Sequence, residues 1–210
     1  AGVIKMNHLE EYWRCFLVLL KQQLKGISAE TLMLTVLAAV IAIHLIWFVF
    51  HRLAGKEGSK RREAVLFLIA GYACFMYQVT LYNREPNSRK GVYTELDFGN
   101  WSGDYMGFQQ RVYSLLNVAL FVPWGFLLAA IRGKECMCRK IFMVCSASFL
   151  TSFTIETLQL ITGRGYFELT DMITNVSGGL LGVLIFCAAW AVYSKKYKGC
   201  TGHENKGGRK

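Results

Sequence analysis

Hydrophobic and polar positions divide the chain into long apolar runs separated by short polar stretches rich in lysine and arginine. Five runs have about the length needed to cross a bilayer core as a helix. They cover residues 31–50, 64–81, 112–131, 141–161 and 171–193. An earlier apolar piece, Phe16 to Leu20 with Tyr12 and Trp13 before it, is too short to span. Glu10, Glu11, Arg14, Lys21 and Lys25 bracket it, which predicts an amphipathic helix lying at the membrane surface. The expected fold class is therefore all-α integral membrane: a bundle of about five transmembrane helices with an N-terminal amphipathic helix. Four spans preceded by a re-entrant or surface segment are the alternative. The expected organisation is an amphipathic segment at 1–30, a transmembrane domain at 31–194 and a basic, glycine-containing tail at 195–210 that remains disordered.

Composition agrees with a membrane domain. Hydrophobic residues make up 53% of the 210, charged residues only 18%, and mean hydropathy is +0.30. The net charge of +10 could suggest nucleic acid, but the positive residues fall between the apolar runs. His51, Arg52, Lys56, Lys60, Arg61 and Arg62 follow the first run; Arg132, Lys134, Arg139 and Lys140 follow the third; Lys195, Lys196 and Lys198 follow the fifth. These are topology signals, so no nucleic-acid partner is expected. They predict a multi-pass cell-membrane protein with its C-terminus in the cytoplasm, its N-terminus outside, and the 83–111 and 162–170 loops outside. The mild basicity of the first 30 residues argues against translocating them. The 83–111 loop balances Arg84, Arg89, Lys90 and Arg111 against Glu85, Glu95, Asp97 and Asp104, and is rich in aromatics. Seven cysteines and four histidines form no ligand cluster; Cys136-x-Cys138 lacks the second pair of a zinc site. No structural metal and no cofactor are expected.

The polar groups inside the runs change the picture most. Glu156 and Gln159 stand within the fourth run, Asp171 and Asn175 begin the fifth, and Asn117 lies within the third. Ionisable groups in such places are costly, and they mark functional candidates by default. At ~1.5 Å per residue, Glu156 is roughly 8 Å in from Ile161, Asn175 roughly 6 Å in from Asp171 and Asn117 roughly 9 Å in from Arg111. Three helices thus bring polar groups to a shared depth in the outer leaflet. Ser152, Glu156 and Gln159 share one helix face, as do Asp171, Asn175, Gly178 and Gly182. Gly178, Gly179 and Gly182 suit close packing of the fourth and fifth runs. Pro123 predicts a kink in the third. Glu156 reads either as a carboxyl stapling helices together or as a ligand-binding, proton-handling or catalytic group. Asp171 reads as a helix N-cap, a role compatible with a second one. Arg164 is the nearest cation in sequence, suited to pair with Glu156 or Asp171 or to contact an anionic headgroup or phosphate.

Four segments together resemble the VanZ-like membrane protein family. They are Asn117-Val-Ala-Leu-Phe121-Val-Pro123-Trp-Gly125-Phe; Ile155-Glu156-Thr-Leu-Gln159; Gly163-Arg164; and Leu169-Thr-Asp171-Met-Ile-Thr-Asn175-Val-Ser-Gly178-Gly179-Leu-Leu-Gly182. The resemblance runs from about 117 to 184. It implies that Asn117, Glu156, Gln159, Arg164, Asp171 and Asn175 are the characteristic polar positions. Where the family has a short Asn-Leu-x-Pro-Phe element before the third helix, this chain has Glu95-Leu96-Asp97-Phe98 without proline. The family takes its name from a protein associated with resistance to teicoplanin, a glycopeptide acting at the outer face of Gram-positive membranes.

Three functions are compatible with these residues. The first is an envelope protein whose outer-leaflet cavity binds membrane lipid, a lipid-linked envelope precursor or a lipoglycopeptide. The second is an intramembrane enzyme with Glu156 and Asp171 dividing acid and base roles and Arg164 holding an anion. The third is a small transporter, disfavoured by the absence of inverted repeats.

Overall fold

The computed structural model describes residues 9–24, 28–54, 60–99, 105–133 and 135–201. Six α-helices follow one another: α1 (Leu9–Leu24), α2 (Ala29–Ala54), α3 (Lys60–Tyr77), α4 (Tyr105–Ile131), α5 (Met137–Thr162) and α6 (Leu169–Thr201). A π-helical turn, Gln78–Tyr82, extends α3. Two short strands, β1 (Val92–Tyr93) and β2 (Phe167–Glu168), pair in parallel. Four of the described helical segments are long and apolar enough to cross a membrane: Lys60–Tyr82, Tyr105–Ile131, Met137–Thr162 and Leu169–Ser194. The run at 31–50 lies in α2, whose described apolar stretch, Ala29–Ala42, is shorter. Lys56, Trp101, Asp104 and residues 202–210 lie outside the described residues.

The helices overrun the apolar runs that predict them. Helix α4 begins at Tyr105 rather than Val112, and α5 takes in Arg139 and Lys140, which the charge pattern assigns to a loop. Lys140 is tolerated because its ammonium lies 5.4 Å from the centroid of the Phe186 ring, a cation–π contact that partly replaces water. Helix α6 continues to Thr201, into the segment expected to be a disordered tail.

From α2 to α6, consecutive helices run antiparallel. Gln78 Nε2 donates to Thr31 Oγ1 at the start of α2, whereas His44 meets Glu63 at the start of α3. One end of the bundle therefore collects the start of α2, the end of α3, the start of α4, the end of α5 and the start of α6. Helix α1 packs at that same end. Its Leu19 is buried against Phe108 and Val112 of α4, with Tyr12, Cys15 and Phe16 on the same face. Trp13, Leu17 and Val18 remain exposed on its other side.

The centre of the bundle is the contact between α4 and α6, and glycines make it possible. A Cβ added at Gly178 would collide with the Val118 carbonyl, one at Gly182 with the Val122 carbonyl, and one at Gly125 with the backbone of Gly179. A Cβ on Gly179 itself would strike Ser148 of α5. The spacing of Gly178 and Gly182 suggests packing on the fourth run; they in fact face the third. In lipid, where apolar burial gives helices little reason to associate, such backbone proximity supplies dispersion contact. Around it lie two apolar clusters, Ala129, Val144, Val183 and Phe186 towards one end, and Met76, Phe121 and Ile155 towards the other.

Pro123 sits inside α4 without ending it. It has no N–H for the Ala119 carbonyl. At the neighbouring Leu120 carbonyl, the Tyr72 hydroxyl of α3 donates a 2.6 Å hydrogen bond. A polar side chain from the preceding helix thus adds a hydrogen bond to the backbone one residue from the carbonyl that the proline leaves open. Tyr72→Phe is expected to cost about 0.5–1.5 kcal/mol, the usual net value of such a bond. A thermal melt in detergent checks this, and an unchanged midpoint would mean the carbonyl finds another donor.

Candidate binding cavity at one end of the bundle

The polar residues singled out above gather at the end where α3, α4, α5 and α6 meet, and much of what holds them is backbone. In the π turn, the Asn83 N–H reaches back five residues to the Gln78 carbonyl. That wider winding leaves carbonyls turned aside, as π turns do, often at functional sites. Gln159 Nε2 donates to the Thr80 carbonyl at 3.0 Å, and Arg164 Nη1 donates to the Leu81 carbonyl at 2.8 Å. Arg164 therefore caps the carboxyl end of this helix, where the macrodipole favours a cation. The expected pairing of Arg164 with Glu156 or Asp171 does not occur.

Glu156 is 2% exposed. Its Oε2 accepts from the Glu168 N–H at 3.1 Å, tying α5 to the strand that precedes α6. Asn175 donates to Ser152 Oγ at 2.9 Å across the same pair of helices. Asp171 lies in the first turn of α6, not at its N-cap, since the helix begins at Leu169. The Asn117 side chain of α4 lines the same recess. Thr170 is buried and accepts from the Asp97 N–H at 3.0 Å, which fastens the 95–97 segment of the loop before α4 to α6. The proline-free segment thus has an anchor of its own.

A cavity of about 240 Å³ opens here, lined among others by Asn117, Gln159, Asp171, Glu168, Arg84 and Arg89. Glu156 and Asn175 are not among its lining residues; they stand behind it. Sequence reasoning overlooked Arg84. It lines this cavity and two neighbours, of about 390 and 200 Å³. Burial lowers its pKa from the ordinary arginine value, while Glu156 and Asp171 act to raise it. Among the described residues no carboxylate forms an ion pair with it. A methyl at Gly165 would lie 2.9 Å from Arg84 Nη1 and 3.0 Å from Gln159 Oε1, so the glycine lets both side chains close over the turn. The available signal was position: Arg84 is the first cation after the second spanning run. No described group of three or more His, Cys, Asp or Glu residues could hold a metal ion.

Fold and site together define a multi-pass, all-α membrane protein with polar groups gathered at one end of its helices. The VanZ/LLP1 family profile matches residues 36–191, and the chain belongs to that family. Protein VanZ of Enterococcus faecium is 34% identical over 70 residues, which are 33% of this chain and 41% of that protein. The match thus spans well under half of that relative's length. No solved structure matches the chain.

Proposed function

We propose that the cavity between α4, α5, α6 and the segment carrying Arg84 and Arg89 binds an envelope lipid, a lipid-linked precursor or a lipoglycopeptide, and that this binding underlies tolerance of teicoplanin-type glycopeptides. The observation that carries the reading is that Asn117 and Asp171 stand together in the wall of a polar cavity at the end of apolar helices. Such a place meets headgroups on one side and acyl chains on the other. The basic residues at the opposite end, Arg132 and Arg139 among them, support a cytoplasmic assignment for that end and an outer-leaflet assignment for the cavity. The family membership supports the link to glycopeptides. The acid–base reading is less favoured because Glu156 does not line the cavity.

Met106 stands 71% exposed at the cavity rim. Met106→Trp therefore narrows the mouth without removing a buried contact. In a teicoplanin-susceptible Gram-positive host, wild type is expected to raise the inhibitory concentration and the variant to return it towards the empty-vector value at equal protein level. Equal protection by the two would count against the cavity.

A further inference from the structure

We infer that Arg84, Arg89 and Arg164 form a phosphate subsite, and that the ligand is a phosphorylated amphiphile whose chain enters the cleft between α3 and α4. The inference rests on the cavity reading above and names its chemistry. The cavity of about 390 Å³ is lined by these three arginines and by one acidic residue, Glu85. Arg84 and Arg89 stand close enough to repel one another, and neither has an ion-pair partner among the described residues. Arg164 spends Nη1 on backbone carbonyls, but its Nε is buried without a partner. Like charges gathered in a partly desolvated recess are unfavourable until an anion neutralises them, and guanidinium forks match the geometry of phosphate oxygens.

A second observation adds the chain. The adjoining cavity of about 200 Å³ shares Arg84 and Tyr113 with the basic one. Beyond them it becomes apolar, walled by Phe75, Val79, Leu116 and Leu120 of α3 and α4, with Leu20 of α1 closing it. A headgroup on Arg84 thus has an apolar path leading away from it between two spanning helices. Asp171 and Glu168 line the neighbouring cavity rather than the basic one, so their charge lies to the side of the anion.

The test is equilibrium binding of dodecyl phosphate to the full chain in maltoside micelles, where partitioning into the micelle cancels between wild type and variants. Saturable binding is expected. Arg84→Ala is expected to weaken it about tenfold or more, as for loss of a charge-assisted hydrogen bond, with partial recovery in Arg84→Lys. Arg89 is exposed, so Arg89→Ala tests the subsite without risk to folding and should also weaken binding. Inorganic phosphate should compete only at far higher concentration. Unchanged affinity in both alanine variants would overturn the proposal, as would competition by inorganic phosphate at the concentration of dodecyl phosphate. Dodecyl glucoside binding as tightly as dodecyl phosphate would overturn the phosphate assignment and leave the cavity reading standing. No binding of either amphiphile would remove both.

Discussion

Gly182→Leu is expected to prevent accumulation of the folded bundle. A Cβ at this position would collide with the Val122 carbonyl and approach Phe126 N to 2.6 Å, both backbone atoms of α4. Backbone cannot move aside as a side chain can. Helix α6 would have to lift off α4, and Gly178, which meets the Val118 carbonyl one turn away, would lose its contact too. Overpacking a core ordinarily costs about 1–3 kcal/mol. Here the strain spreads along the most extensive helix contact among the described residues, so the loss should reach or exceed the top of that range. Total stabilities of only about 5–15 kcal/mol leave little reserve. Gly71→Ala is the control. Its added methyl would stand 3.6 Å from Val36 Cγ1, an ordinary contact, and alanine is the better helix former. Size-exclusion profiles and melting midpoints in detergent should show the first variant aggregated or strongly destabilised and the second unchanged or slightly raised. Wild-type behaviour of Gly182→Leu would mean that α4 and α6 are not in backbone contact.

The elements that were legible in the sequence are those written in apolar run length. The runs at 64–81, 112–131, 141–161 and 171–193 each fall inside a helix that can span. Their ends were less legible, because Arg139 and Lys140 are charged yet helical, and Lys140 finds an aromatic face that only tertiary packing supplies. The family's polar positions were legible as a set. Their partners were not. Arg164 and Glu156 carry opposite charges eight residues apart, so pairing them was the natural inference from spacing. The π turn overrides it by presenting the Leu81 carbonyl to Arg164, and no residue pattern at 78–82 announces that turn. Arg84 is far from Glu156 and Asp171 along the chain, and only the return of α3 to the end of α5 brings it near them. Likewise, the Gly178 and Gly182 spacing defines a smooth face but not which neighbour fills it.

Glu156 separates the structural account from a chemical one. Its side chain is almost fully enclosed and accepts the Glu168 N–H. Glu156→Leu deprives that buried donor of its acceptor, which should cost about 1–3 kcal/mol. It also removes one of the two carboxyl groups that act on Arg84. Glu156→Gln keeps an oxygen in the same place, so the N–H stays satisfied. The leucine variant is therefore expected to melt well below wild type, and the glutamine variant close to it. Because Glu156 stands behind the cavity rather than in its wall, the glutamine variant should also keep the binding and teicoplanin tolerance of the wild type. If it folds normally but loses both, the carboxyl group has a chemical task that an amide cannot perform, and the acid–base reading with Asp171 becomes the better one. If glutamine melts as low as leucine, the charge itself, held against Arg84, is what the end of the bundle requires.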